Sequence, residues 1–350
     1  MLSPQMHTVS QQLGNYDHLF RAVELSRLPF KITGDLHFIM PCFGLLGCSS
    51  SNPCVYCPRE RRRIGGVAKW EEGDVELRTL GSLNQNYADW FEEGQRDGAQ
   101  FTRKFKSVAG PILVEGAGDS FSTLVLDKAP PCALHLFLAT NDCFNHLQRN
   151  HWPDFKAVLL NLYGIQAHSY QGKEQNYQGP EIRKVLSGLH KLMPLMRDDP
   201  IRRLYLEVLL ETSRVNEAIF GLELNPSWRQ LLHQLKVAVL ALNAATSFPI
   251  TPKYHIILEH VGQWVERHGR SLGKEAEQAG SVVYKSPFGF LYFYELSRFG
   301  QFVKNTFLGP HFCCRGSPFH SKLGPHFEKF RSLLHVGAVH IQVLLLDYQT

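Results

Sequence analysis

Residues 53–58 read PCVYCP, and this Cys-x-x-Cys pair between two prolines decides how the rest of the chain is interpreted. A turn of this kind lets two thiolates converge on one ion, as they do in protein zinc sites. The same pattern is open to a redox function or to two cysteines that simply pack together. A thioredoxin-like redox site is disfavoured because Pro58 follows the pair and no amphipathic helix begins there. Cys54 and Cys57 are therefore candidate zinc ligands in need of two partners.

The second stretch that bears on this question is TPKYHIILEH at residues 251–260. Its His255 and His260 have the His-x4-His spacing found in zinc sites. On a regular α-helix, five residues turn through roughly 500°, which leaves the two rings about 140° apart. Both can bind one ion only if the helix is distorted, and Pro252 makes a distorted first turn plausible for His255. The alternative is two unrelated histidines, one at the helix cap and one facing solvent.

Outward from these two stretches, the chain between residues 71 and 250 is predicted to be mainly helical. Apolar residues at three- and four-residue intervals run from Ile201 to Ile219 and define one helix face. Asn225 before Pro226 predicts the start of another helix, and Thr251 before Pro252 repeats that signal. Gly269 is expected to end the last of these helices. Within the final residues, the segment from 339 to 348 has the pattern of a strand.

Length and composition limit the classes of protein that remain. The chain has 350 residues, of which 44% are hydrophobic and 20% charged, so it can bury a core and is not disordered throughout. A net charge of +5 permits a nucleic-acid partner without arguing for one. We expect no signal peptide, no transmembrane segment and no membrane partner, because no apolar run approaches the roughly 18 residues that span a bilayer. No small-molecule substrate is evident.

Polar residues near these stretches are candidates for further chemistry. Asp35 follows a predicted strand, and a carboxylate at a strand end suits a two-metal phosphoryl-transfer site, although it is also an ordinary turn signal. Glu277 lies in a polar segment for which solvated surface is the default interpretation. Arg59 and the arginines at 61–63 lie beside the cysteine pair, where they form either a solvated face or a phosphate-binding cluster.

The order of these residues resembles a known family. Cys54 follows Asp35 by 19 residues (54 − 35 = 19), a helical stretch of nearly 200 residues separates Cys57 from His255, and Glu277 follows His260 by 17 (277 − 260 = 17). This arrangement is similar to the catalytic core of DDE transposases of the Transib type and of the recombination-activating recombinase subunit of vertebrate immunity. The similarity runs from about residue 31 to 280, with specific motifs at its two ends and the tripeptide ALH at 133–135 between them.

The resemblance implies two metal sites with different ligands. Cys54, Cys57, His255 and His260 would bind one structural Zn²⁺, and Asp35 with Glu277 would be catalytic acids for Mg²⁺ or Mn²⁺. In such enzymes two divalent ions activate a water or 3′-hydroxyl and stabilise the leaving oxygen of a DNA phosphodiester. The implied partners are DNA and a second copy of the chain, and the implied location is the nucleus.

The implied fold is α+β and mostly α, a partial RNase H-like core interrupted by a large helical insertion. Residues 1–70 would be the remnant of that core with the zinc knuckle, and residues 71–250 the helical insertion. Residues 251–304 would contain the helix with His-x4-His, which returns the chain to the core, and the late acidic segment. Residues 305–350 would be an irregular tail.

The active site is expected to be incomplete. The family places about three strands and a first aspartate before the position of Asp35, but only 34 residues precede it here. After Glu277, a Gly or Ser occupies the position of a second acid. The sequence therefore predicts a transposase-derived zinc-binding protein that does not cut DNA alone. Two alternatives stay open: an active DNA strand-transferase completed by sequence outside this chain, and a non-enzymatic helical interaction protein in which the Cys and His pairs are unconnected.

Overall fold

The structure of the chain is a computed structural model. It describes residues 30–64, 67–94, 98–114, 118–167, 169–170, 173–174, 176–274 and 342–345. These residues form a mostly helical protein with short antiparallel strand pairs, in agreement with the predicted α+β, mostly α class. Glu277 and the acidic segment around it lie outside the described residues.

The strands form two-stranded sheets within the described part of the chain. Strand β1 (Phe30–Thr33) pairs with β6 (Gln342–Leu345), so that Phe30 lies opposite Leu345. The expected strand within residues 339–348 is therefore present. The other two pairs are hairpins, listed by their strands as β2 (Arg61–Ile64) with β3 (Val67–Trp70), and β4 (Ser169–Tyr170) with β5 (Lys173–Glu174). An RNase H-like core stays a prediction.

Within the described residues, five helices precede or follow the cysteine pair between residues 36 and 137. Asp35 caps the first of them, because its side chain accepts a hydrogen bond from the backbone N–H of His37. Thr79 and Ser82 form a reciprocal capping box at the start of the second. The helices of this region are α1 (Leu36–Cys42), α2 (Leu80–Glu92), α3 (Ala99–Lys104), α4 (Val125–Lys128) and α5 (Ala133–Phe137).

The middle of the chain contains the longest helices, as predicted. Asp199 caps α10 by accepting from the N–H groups of Ile201 and Arg202. Helix α11 begins at Trp228, two residues later than Pro226, because Asn225 accepts from the N–H of Ser227 in a turn before the helix. The helices here are α6 (Thr140–Asn150), α7 (Phe155–Tyr163), α8 (Gly179–Ser187), α9 (Met193–Met196), α10 (Pro200–Ile219) and α11 (Trp228–Thr246).

The last long helical segment starts and stops where the sequence predicts. Thr251 caps α12 (Pro252–His255) with its side-chain oxygen. A π-helical turn (Ile256–His260) and then α13 (Val261–His268) continue the same segment. Gly269 ends it in the left-handed conformation, with φ of +62°.

One hydrophobic core joins the cysteine-containing region to the long helices. Its buried members extend from Ile32 through Tyr56 and Tyr205 to Leu272. The metal-ligand candidates therefore lie inside the main core and not in a peripheral loop. Within the described ranges, no helix is long and apolar enough to cross a membrane.

The segment at residues 105–113 is held against the chain that follows α1. The N–H of Ala109 donates to the carbonyl of Gly44, and the N–H of Leu46 donates to that of Ser107. Gly44 has a φ of +68°, and a Cβ built there would lie 2.0 Å from the carbonyl oxygen of Gly110. Only glycine permits this approach, which fixes the position of a loop that reaches the metal-ligand candidates.

Candidate metal centre

Cys54, Cys57, His255 and His260 converge in the core. The Sγ atom of Cys54 lies 3.3 Å from Nε2 of His260, and Sγ of Cys57 lies 3.2 Å from Nε2 of His255. The four donor atoms all lie within 4.8 Å of one another, and all four residues are buried. The two pairs are thus connected in space, against the alternative in which they are unrelated.

Two of the sulfur–nitrogen distances are close to those of a tetrahedral zinc site. Zinc–sulfur bonds of about 2.3 Å and zinc–nitrogen bonds of about 2.0 Å place sulfur and nitrogen ligands about 3.5 Å apart across a tetrahedral angle. The two measured sulfur–nitrogen distances, 3.2 and 3.3 Å, are slightly shorter than this. Two thiolates with two imidazoles are also a common structural zinc set. The four residues can therefore hold a metal ion such as zinc.

Backbone contacts shape the cysteine half of the site. The N–H of Tyr56 lies 3.4 Å from Sγ of Cys54, as expected for a tight knuckle. Arg78 stabilises this loop, because its Nε donates to the carbonyls of Cys54 and Cys57 at 3.3 and 3.1 Å. Its Nη2 donates to the carbonyl of Lys106 at 2.7 Å. Arg78 is only 2% exposed, so it makes these hydrogen bonds from inside the core.

The helical half reaches the same point through the π-helical turn. The N–H of Val261 donates to the carbonyl of Ile256, five residues earlier instead of four. A turn that takes in one additional residue brings positions five apart onto the same side of the helix. His255 lies in the first turn, as expected, but the distortion that aligns it with His260 lies between the two histidines and not at Pro252.

Neighbouring side chains orient both imidazoles. Nδ1 of His260 lies 2.9 Å from Oε1 of Gln263, and because this oxygen can only accept, Nδ1 carries the proton. The lone pair of Nε2 then faces Cys54, as a metal ligand requires. The ring of Trp70 stacks on His255, with centroids 3.7 Å apart and an interplanar angle of 7°. Nε1 of Trp70 donates to the carbonyl of Ile250, which fixes the indole in turn.

The charge states of His255 and Cys57 suit metal binding, whereas burial raises the pKa of Cys54 well above its usual range, so Cys54 must lose its proton to a bound metal. Burial lowers the pKa of His255 despite the opposing effect of Cys57, so the imidazole is neutral at pH 7. A hydrogen bond from Cys54 lowers the pKa of Cys57, and both imidazoles lower it further against the effect of burial. A neutral imidazole and a thiolate are the forms in which these side chains bind metals.

Asp35 lies apart from the four-residue cluster, at the N-terminus of α1. Its carboxylate is 44% exposed, and its Oδ2 lies 3.8 Å from Nε2 of His135, whose Nδ1 lies 3.0 Å from Sγ of Cys132. The residues on either side of Asp35 line a small cavity with Tyr56, next to the cysteine pair, and with Ile256, next to His255. Glu277, the other predicted catalytic acid, lies outside the described residues.

Four residues that shape these sites were not assigned a role from their own sequence signals. Gln263 could have been found, because it lies three residues, about one helical turn, after His260. His135 was noted only as part of the resemblance. Arg78 and Trp70 carry no local signal, since each reaches the site through tertiary packing.

Comparison with known proteins adds no evidence about the site beyond its geometry. No protein-family model matches the chain, and no curated protein is significantly similar to it. The resemblance to DDE transposases therefore rests on the motifs and their order. The convergence of the four metal-ligand candidates rests on the structure.

Proposed function

We propose that this chain is a zinc-binding protein derived from a DDE-type transposase, in which one structural zinc ion clamps the final helical segment to the N-terminal region. A single observation carries the zinc clamp: the sulfurs of Cys54 and Cys57 and the imidazoles of His255 and His260 meet in one buried cluster. A closed set of four protein ligands is typical of structural zinc sites, whereas catalytic sites keep a position open for water or substrate.

The clamp would stabilise the fold by closing a long loop. Cys57 and His255 are 198 residues apart in sequence. Cross-linking a loop of that length removes unfolded-state entropy equivalent to about 5 kcal/mol on the scale used for disulfides. The ion would also satisfy buried thiolates that otherwise face each other in the core. Both effects support a structural role for zinc.

Zinc content of the purified chain tests the clamp. We expect about one zinc per chain by plasma mass spectrometry, as a single four-ligand site requires, and loss of that zinc in Cys54→Ala. Cys48→Ala is the matched control, because Cys48 lies outside the cluster, with its Sγ 3.6 Å from the sulfur of Met40. A wild-type chain that binds no zinc would overturn the proposal.

The relation to DDE transposases is the second part of the proposal. It is supported by the order of Asp35, the cysteine pair, the helical stretch and the histidine pair, and by the place of Asp35 after β1. In this proposal the helices interrupt an RNase H-like core, and DNA and a second copy of the chain are partners in the nucleus. Asp35 and Glu277 would hold Mg²⁺ or Mn²⁺, which supplies Lewis-acid activation when bound. Because Gly280 or Ser281 occupies the position of a second acid, we propose that the chain does not cut DNA alone.

A DNA nicking and strand-transfer assay with Mg²⁺ or Mn²⁺ tests this part. We expect no cleavage by the zinc-loaded chain. Cleavage that is lost in Asp35→Ala and retained in Asp154→Ala, a control carboxylate elsewhere in the described chain, would instead establish an active strand-transferase.

A further inference from the structure

The hairpin that follows the cysteine pair carries basic side chains on its exposed face. Arg62 in β2 lies directly opposite Lys69 in β3, and both side chains are exposed. Directly opposed residues of an antiparallel pair project from the same face. Two like charges on one face repel each other, so this arrangement favours an anionic partner.

Glu60 joins a second basic segment to this face. Glu60 is 7% exposed. Its Oε2 lies 2.6 Å from Nη2 of Arg62, and its Oε1 lies 2.8 Å from Nε of Arg103. The hydrogen bond from Arg62 lowers the pKa of Glu60 against the effect of burial, and the charges of Arg103 and Lys106 lower it further. One buried carboxylate thus organises cations from the hairpin, from α3 and from the loop after α3.

The resulting surface keeps a positive charge and free donor capacity. Arg62 and Arg103 bind Glu60, and Lys69 lies opposite Arg62 in the hairpin. Glu71 adds a second carboxylate, which accepts from the N–H of Glu60. The side chains of Arg62 and Arg103 are 63% and 58% exposed. Each guanidinium has five N–H donors in a fixed fork, so one edge binds Glu60 and the rest faces solvent.

The cysteine half of the metal centre is linked by hydrogen bonds to the loop that carries Lys106. Arg78 joins the carbonyls of Cys54 and Cys57 to that of Lys106. Lys106 and Ser107 have φ angles of +52° and +65°, a conformation that side chains other than glycine adopt at a cost. The loop after α3 is therefore held in an unfavourable backbone conformation at Lys106, whose charge acts on Glu60.

We propose that the exposed cations Arg62, Lys69 and Arg103, with Lys106 near them, bind the phosphate backbone of duplex DNA. Exposed guanidinium forks match phosphate oxygens, and cations spread over three chain segments suit a polyanion better than one small anion. The proposal takes the DNA partner from the proposed function and adds the surface that contacts it. Because the contacts go to phosphates, binding is independent of base sequence and falls steeply with salt.

The test compares two triple variants with the same change in net charge. Arg62→Gln, Lys69→Gln and Arg103→Gln combined remove the surface. Arg197→Gln, Arg214→Gln and Arg229→Gln combined remove three exposed arginines elsewhere, whose side chains are 69%, 55% and 68% exposed. Each zinc-loaded full chain is titrated with a fluorescent duplex of arbitrary sequence, by anisotropy at several KCl concentrations. Zinc content and circular dichroism establish that each variant is folded.

For the surface variant we expect DNA affinity to fall on the order of 100-fold at physiological salt, and the slope of log affinity against log salt to fall by about three. The control variant should keep the slope of the wild type. Equal losses in both triple variants would overturn the surface while leaving DNA binding in place. A wild-type chain that binds zinc but no DNA would overturn the DNA partner and, with it, this inference.

Discussion

The two halves of the metal centre are built in different ways. The cysteine half is a short loop whose shape comes from local backbone contacts and one buried arginine. The histidine half is a helix that reaches the same point only because one of its turns is π-helical. The first half can be recognised from a motif of four residues, and the second depends on a helical irregularity. Ligand spacing alone therefore does not determine whether two ligands face each other.

The largest effect is expected from breaking either half of the centre. Cys54→Ser and His260→Ala should each lower the free energy of unfolding by about 5 kcal/mol, because the loop of nearly 200 residues is no longer closed. Chemical denaturation of the zinc-loaded proteins measures this. Cys48→Ser should stay close to the wild type, since Cys48 is outside the cluster. Similar losses in all three variants would argue against a clamp.

The helical half can be tested by changing its length. An alanine inserted between Ile257 and Leu258 should abolish zinc binding, because it separates the histidines by six positions. Deletion of Ile257 should retain zinc, because four positions on a regular α-helix turn through about 400° and again leave both rings on one face. Zinc titration with a colorimetric chelator distinguishes these results. Zinc binding by the insertion variant would contradict the role given to the π-helical turn.

Substitution of the buried Arg78 should destabilise the chain more than substitution of an exposed arginine. Arg78→Met removes hydrogen bonds to three carbonyls and should destabilise the zinc-loaded chain by about 3 kcal/mol. Burial lowers the pKa of Arg78 to about 10, against the effects of Cys54 and Cys57, so it still carries its charge at pH 7. Arg214→Met, an exposed control, should change stability by less than about 0.5 kcal/mol. Urea denaturation of both variants measures the difference.

The smallest effect concerns the far end of the helix that carries His260. Arg267 and His268 in α13 bind Asp127 in α4, with contacts of 2.7 to 3.1 Å. Burial alone would raise the pKa of Asp127, but the hydrogen bonds from His268 and Arg267 hold it well below its usual range. The stabilisation is therefore present above about pH 4 and is lost as the pH falls further.

Asp127→Asn measures this contact. It should cost about 1 kcal/mol at pH 7 and flatten the loss of stability below pH 4. Thermal unfolding between pH 3 and 7 gives both quantities. A variant whose stability falls with pH as steeply as that of the wild type would show that other carboxylates dominate the acid transition.

The sequence predicted the parts of this fold that local rules govern. The caps at Thr251 and Gly269 and the helix face from Ile201 to Ile219 follow from side-chain hydrogen bonding, backbone sterics and periodicity. The spacing within each pair indicated the two cysteines and the two histidines as candidates, and the resemblance to DDE transposases joined them into one site. Arg78 and Trp70 could not be found, because they reach the site from loops and strands through tertiary contacts that no local pattern encodes.

The position of the helical distortion marks the limit of such prediction. The spacing of His255 and His260 requires a departure from the regular α-helix. Because Pro252 lies at the start of the helix, the sequence predicts this distortion in the first turn. The structure instead accommodates one additional residue at Ile256–His260, a buried stretch that contains no Pro or Gly to signal the distortion.

X-ray absorption at the zinc edge tests the central claim most directly. The account predicts two sulfur neighbours at about 2.3 Å and two nitrogen neighbours at about 2.0 Å around zinc bound to the full chain. A shell of oxygen and nitrogen atoms without sulfur, or a single sulfur neighbour, would contradict a centre made by Cys54, Cys57, His255 and His260.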